Sequence, residues 1–463
     1  MRIFSQMKRQ VFVISLFILA FTLSGVSSGK YSGGTGEPND PYRIATPNDL
    51  NSIGLDPCDW DKHFLMTEDI NLVDITNSQF NIIGSIASPF EGVFDGNRHT
   101  IMKFTYSKHV PLHVALFSVV GGPEAVIKNV IMVDADMNDP GGRMACLVGV
   151  LQEGLVSNCH VINGRVNAEN FAGLLVGTNK SQIVNCSSSG VCSAMEKVGG
   201  LVGFTMSQGT IINCYSDANV TAKYNGMAGG LVGYHDGDLI INCHSTGRIE
   251  GLAYSGKIGG LVGYNLSAIE QCYSTAEVIG GNDEGIGGLV GGNIGTVSKC
   301  FATGDVSGII DVGGLVGYNY SGGTISDSYS HGDVNAAMGY AGGLVSGNNG
   351  IVERCYSTGE VTISDHLGSG LVSHDNNSVI NSFWDIQSSN CNNSDGGTGL
   401  LTAQMQMRST FADAGWDMVN VWDIGENQTY PFLRKHLPSD INKNGETNFY
   451  DFAILAENWL KEQ

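Results

Sequence analysis

The stretch IGGLVGYN, residues 258–265, returns in close variants along one chain: AGGLVGYH at 228–235, IGGLVGGN at 286–293 and VGGLVGYN at 312–319. Aligned on their leucine, the copies give Leu147, Leu175, Leu201, Leu231, Leu261, Leu289, Leu315, Leu344 and Leu371, separated by 28, 26, 30, 30, 28, 26, 29 and 27 residues. Nine copies at a nearly constant period mark a repeat architecture, in which a unit too small to bury its own apolar face must stack on its neighbours.

A second phrase follows each copy, as in INCYSDA, INCHSTG, EQCYSTA and ERCYSTG. Its cysteines are Cys159, Cys186, Cys214, Cys243, Cys272, Cys300 and Cys355, with Ser328 standing in one place. Three residues ahead runs a β-branched column that includes Ile211, Ile240, Ile269, Val297 and Ile325. The pattern is one of short Val/Ile/Leu/Tyr-rich strands broken by Gly and Asn, with no helical periodicity. The expected unit is about three strands and three turns, stacked on the next at ~4.8 Å. Leu, Val, Ile and Cys then form apolar ladders, and the glycine pairs allow tight corners or positive φ. Strict alternation puts Ile269 and Cys272 on opposite faces, so a bulge or corner is expected between them.

These residues resemble the bacterial GLUG motif, a repeat with a Gly-Leu-aliphatic-Gly core found in immunoglobulin A peptidases and surface adhesins. The resemblance covers roughly residues 146–376. Those peptidases carry a zinc motif elsewhere in their chains, and no H-E-x-x-H occurs here, so the peptidase activity is not carried over.

Before the repeats, Arg2, Lys8 and Arg9 precede an apolar run from Val11 to Leu23 and the small residues SGVSSG. This reads as a signal peptide cleaved near Ser28, its apolar run too short for a comfortable span. The protein is expected to be secreted or at the cell surface, with no transmembrane segment in the mature chain. Gly at 64 of 463 residues is about twice the usual ~7%, and charged residues at 15% fall below the usual ~25%. A formal net charge of −21 argues against nucleic acid and anionic membranes as partners. Eleven cysteines in an exported chain suggest disulfides, but the regular recurrence of seven fits small core residues better.

The ends need covers, because an open solenoid exposes sheet edges. In ATPNDLNSIG, Thr46 reads as an N-cap, Pro47 as the first helical residue and Gly54 as the stop, giving a short capping helix. Near the other end TAQMQMRSTFADAGWDM turns helical, and the tail with Trp416, Trp422 and Phe432 is expected to fold over the last rung. The fold class is therefore all-β: a right-handed parallel β-helix (β-solenoid) with an N-terminal helical cap and a small C-terminal loop-helix segment. Its parts are a signal peptide (1–29), a cap with irregular first rungs (30–145), the repeat solenoid (146–387), a C-terminal cap region (388–437) and the loop-helix segment (438–463). With both ends capped, a monomer is expected.

Two candidate sites stand out. In DINKNGETNFYD, residues 440–451, Asp440, Asn442, Asn444, Asn448 and Asp451 fill positions 1, 3, 5, 9 and 12 of an EF-hand-type loop. Gly445 permits the turn, and Glu446 offers its backbone carbonyl. With so few carboxylates, Ca²⁺ should bind weakly, at ~10⁻⁴ to 10⁻³ M. This loop and its following helix resemble one repeat of a type I dockerin, which implies a cohesin-like partner; a complete dockerin has two repeats, and residues 425–439 lack the ligands.

The second candidate is the aromatic after each ladder cysteine: His160, Tyr215, His244, Tyr273, Phe301, Tyr329 and Tyr356, with Trp384 closing the series. Facing outward, Tyr215, His244, Tyr273, Phe301, Tyr329 and Tyr356 could stack on sugar rings; otherwise they brace the sheet or lie under a loop. His374 and Asp375 lack a nucleophile to complete a triad and read as structural. The expectation is an exported, non-catalytic binding scaffold that takes a glycan or cell-envelope component, with a polysaccharide lyase or hydrolase as the alternative; such enzymes need a clustered acid/base pair that the sparsely charged rungs do not display.

Overall fold

The computed structural model describes residues 30–75, 79–107, 113–138, 142–224, 226–252, 254, 256–281, 285–364, 368–376 and 378–434. The signal peptide and the Ca²⁺ loop, with Asp440, Asn442, Asn444, Glu446, Asn448 and Asp451, lie outside these residues. The chain winds as a parallel β-solenoid. Among the described residues its faces are sheets of 13, 20, 9 and 10 strands, each strand hydrogen-bonded to its counterpart about one repeat away. Each full turn therefore has four faces rather than three. In one turn these are Ala268–Glu270 on the first face, Tyr273–Ser274 with Glu277–Ile279 on the second, Ile286–Gly287 on the third and Val290–Asn293 on the fourth.

The extra corner falls at the Gly-Gly pair. Neither Gly259 nor Gly260 has a positive φ, contrary to one expectation for these pairs. What they supply is space, since a Cβ on Gly260 would lie 2.0 Å from the Gly288 carbonyl oxygen of the next rung. The positive φ falls instead on the residue before each cysteine: Asn185 (55°), Asn213 (54°), Asn242 (53°), Gln271 (54°) and Lys299 (52°). That left-handed residue is the corner expected between Ile269 and Cys272. It restores both side chains to the interior, where each is fully buried.

The interior is narrow and partly polar. Ile240, Ile269, Leu261 and Val262 are fully buried, each such side chain contributing ~1.5–3 kcal/mol. All eleven cysteines are free thiols. The ladder cysteines also do more than fill space: the backbone N–H of Cys243 donates to Cys272 Sγ (3.4 Å), and that of Cys272 to Cys300 Sγ (3.4 Å). Where serine replaces cysteine the bond persists, with Cys300 N donating to Ser328 Oγ and Cys355 N to Ser382 Oγ, both at 3.0 Å. The left-handed corner takes these amides out of the strand ladder, and the sulfur or hydroxyl of the next rung satisfies them. Burial pushes the thiols of Cys186, Cys243 and Cys272 well above their ordinary value, which keeps them protonated and inert.

Across the tube, Ser245 Oγ donates to the Gly260 carbonyl (2.6 Å) and Ser357 Oγ to that of Gly370 (2.6 Å). On the fourth face the asparagine ending each GYN-type word points inward. Asn265, Asn293, Asn319 and Asn348 pass amide-to-carbonyl bonds of 2.8 Å from rung to rung, ending on Asp375 Oδ1.

At the N-terminal end the helix Pro47–Ile53 forms as expected, with a reciprocal cap between Thr46 and Asp49, and it buries Leu50 and Ile53 on the first rungs. Gly54 ends it in a right-handed conformation; glycine is needed because a Cβ there would meet the Asn81 carbonyl oxygen at 2.0 Å. The C-terminal cap departs from expectation. Helices Thr402–Met405 and Arg408–Asp413 and the antiparallel strands Trp422–Asp423 and Phe432–Leu433 pack against the second face beside Tyr329, Tyr356 and Phe383, instead of over the end. Phe432 is left 43% exposed.

Candidate functional site

The aromatics after the ladder cysteines stand on the second face, in register. Ring centroids from Tyr215 through His244, Tyr273, Phe301 and Tyr329 to Tyr356 follow at 5.1, 4.7, 4.9, 5.0 and 5.0 Å, with interplanar angles of 8°, 2°, 2°, 4° and 13°. One rotamer repeated at the rung spacing stacks the rings face to face. Each interior ring therefore spends both faces on its neighbours and offers solvent only an edge.

The column then changes character along its length. Tyr215 is 45% exposed, whereas Tyr329 and Tyr356 are buried beneath the cap. There Trp416 Nε1 donates to the Asn381 carbonyl (2.8 Å), Trp422 Nε1 to Asp327 Oδ1 (3.2 Å), and the Tyr356 hydroxyl to the Pro431 carbonyl. Asp327 is further held by Arg354 through two bonds of 2.9 Å. Two members of the expected series are corrected by the register. Phe383, not Trp384, follows Tyr356, because Ser382 takes the cysteine slot and turns Trp384 into the core. His160 pairs with Ser187, which interrupts the stack before Tyr215.

A second aromatic lane, absent from the sequence expectations, runs along the third and fourth faces. Thr178, Phe204, Tyr234, Tyr264, Gly292 and Tyr318 share one column of the fourth face. Its rings are inclined, at 86° between Phe204 and Tyr234 and 43° between Tyr234 and Tyr264. Gly292 gives the Tyr264 ring room to lean: a Cβ there would lie 2.7 Å from that ring, which tips over it toward Tyr320 at 6.0 Å. On the third face beside it stand Arg143, Phe171 and Lys197, in register. Lys197 Nζ lies 4.4, 4.8 and 5.1 Å from the rings of Phe171, Phe204 and Tyr234. Arg143 covers Phe171 at 4.7 Å, and Lys257 lies 5.6 Å from Tyr320. Burial among these rings lowers the Lys197 pKa. Burial, then the charges of Arg143 and Lys180, hold His113 down at about 4. The signal for this lane was present in the repeated word, whose seventh position is Phe204, Tyr234, Tyr264 or Tyr318.

His374 bonds Asn376 (2.9 Å), and Asp375 accepts from Asn348 at the end of the asparagine ladder (2.8 Å). Among the described residues no three His, Cys, Asp or Glu side chains converge as a metal site, and no helix is long and apolar enough to cross a membrane.

Comparison with known proteins bears on the repeats. The GLUG motif matches residues 197–221, 224–250, 254–279, 282–307 and 308–335. Halomucin of Haloquadratum walsbyi is 31% identical over 191 residues, 40% of this chain. A protein of Evansella cellulosilytica named as a Gly-rich membrane protein is 44% identical over 54 residues, 12% of this chain. The chain spans only 2% of the first and 6% of the second. A solved Bacteroides ovatus structure, proposed to be an immunoglobulin A1 protease, aligns over 88% of this chain and 96% of its own, at 18% identity and a TM-score of 0.37. The chain is thus a parallel β-solenoid carrying five GLUG-motif repeats.

Proposed function

We propose that this protein is an exported, non-catalytic scaffold that binds a glycan of the cell envelope along one lateral face. The observation that carries the reading is the inclined aromatic lane from Phe204 to Tyr318, whose rings are not consumed by mutual stacking and can meet the C–H faces of sugars. The kinship with halomucin and with a Gly-rich membrane protein supports a place outside the cytoplasm, as does the leader at 1–29. The absence of an enzyme role is supported by the tie-up of the acids near the cap: Asp327 serves Arg354 and Trp422, and Asp385 accepts the Tyr430 hydroxyl at 2.7 Å. The loop at Asp440–Asp451 adds a weak Ca²⁺ site that tethers the C-terminus to a cohesin-like or envelope partner.

The test is to incubate the mature chain with purified cell walls and soluble polysaccharides, measuring retention and released oligosaccharide together. Retention without product supports the scaffold. Product release replaces it with the lyase or hydrolase. Calorimetric Ca²⁺ titration of the Asp440→Ala/Asp451→Ala variant beside the parent tests the tether; heat that persists in the variant removes it.

A further inference from the structure

The inclined lane is uneven in charge. Its third-face column runs His113, Arg143, Phe171, Lys197 and Met227 in register, with Lys257 level with Met227, and meets a carboxylate only at Asp311, two rungs beyond Lys257, in a chain whose formal net charge is −21. Several cations elsewhere on the solenoid are matched to acids: Arg248 to Glu277 (2.7 Å), Lys299 to Glu270 (3.2 Å), Arg354 to Asp327 (2.9 Å). Arg143 and Lys197 instead rest on rings, and among the described residues neither is in an ion pair; Glu196 acts on Lys197 only at longer range. A ring positions an ammonium without cancelling its charge. Salt screens the remaining acids of the molecule beyond ~8 Å at physiological ionic strength, so an approaching ligand feels the local cations first.

Resting on the glycan reading, we infer that this lane takes an acidic polysaccharide, laid along the solenoid axis, with Arg143 and Lys197 meeting its carboxylates and Phe204, Tyr234 and Tyr264 its sugar rings. The geometry favours a polysaccharide over other acidic polymers. Rungs repeat at ~4.8 Å, about the length of one sugar in an extended chain, so successive rungs meet successive sugars. An acidic peptide would seek a sheet edge, and the lateral faces of a solenoid have none. A single-stranded nucleic acid needs parallel, flat ring platforms on which successive bases stack; these rings are tilted by 43–86° to one another.

The experiment is affinity electrophoresis of the whole mature chain through gels carrying polygalacturonate, alginate or hyaluronate, each beside its methyl ester, a neutral glucan and poly(dT), all with EDTA to exclude Ca²⁺ bridging. Expected are retardation by an acid form that fades as salt is raised, and roughly tenfold weaker binding in Lys197→Gln and, separately, in Arg143→Gln. Lys299→Gln, which removes a paired cation on another face, should bind like the parent. Melting curves identify any variant that fails to fold, and the two single substitutions serve as substitutes for each other. Equal retardation by acid and ester, or by the neutral glucan alone, overturns the acidic assignment and leaves glycan binding standing. No retardation in any polysaccharide gel overturns both. Tighter binding of poly(dT) than of every glycan reassigns the lane to nucleic acid.

Discussion

The two aromatic columns of this solenoid have the same rung spacing and opposite fates. On the second face one ring per rung, in one rotamer, gives a parallel stack with angles from 2° to 13°, and its C-terminal half is sealed by the cap. On the fourth face a glycine at position 292 interrupts the column, the rings tip to 43–86°, and basic residues of the third face settle among them. A regular column is a structural seam onto which more protein can be laid. An interrupted one keeps ring surface and charge in reach of a ligand.

Removing the cap's anchor should have the largest effect. Trp422 is fully buried beside Tyr329, Tyr356 and Trp416, so Trp422→Ala is expected to cost ~3–5 kcal/mol in denaturant unfolding. It should also expose residues 388–434 to limited proteolysis; an unchanged digestion pattern would mean that the cap does not depend on the stack. The backbone of the seam is tested at Cys243. Cys243→Ala leaves the Cys214 N–H without its partner at 3.3 Å and should cost ~1–3 kcal/mol, whereas Cys243→Ser should stay close to the parent, as Ser328 does naturally. Equal losses in the two variants would reduce the sulfur to a space-filler.

The tilted lane is tested at Gly292. A methyl there meets the Tyr264 ring at 2.7 Å, and Gly292→Ala should cost ~1–3 kcal/mol while shifting tyrosine fluorescence and polysaccharide retention together. The smallest expected effect concerns pH. His331 lies under the cap, with Nδ1 2.6 Å from Thr358 Oγ1 and Nε2 3.2 Å from the Tyr356 hydroxyl, and burial lowers its pKa to about 4. The unfolded chain, with histidine near its ordinary ~6.5, then binds more protons, so stability is complete above that value and falls as pH drops from ~6.5 toward about 4. His113 and His235 are lowered in the same direction outside the cap. The diagnostic is therefore the difference in melting between the parent and His331→Gln, which should shrink from pH 7 to pH 5.

Much of this was legible in the spacing of residues. The leucine, β-branched and cysteine columns imply stacked rungs because only a solenoid returns the same residue to the same place every turn. Thr46, Pro47 and Asp49 carry their helix locally, and the helix formed. What the sequence did not display is anything decided across rungs. The left-handed residue before each cysteine, the sulfur that accepts the next amide, and the inward asparagines depend on groups about 28 residues away. The tyrosine of GYN was visible as a letter, but whether its ring stacks or leans depends on the absence of a Cβ at Gly292 in the neighbouring turn.

The sequence by itself thus determined the repeat, the parallel β class and which residues recur at equivalent places, because period and local turn chemistry are properties of the chain. Only the tertiary structure decided which of two aromatic columns is buried by the cap and which lies open beside Arg143 and Lys197, because burial, tilt and charge proximity arise between rungs and faces that the chain order keeps apart.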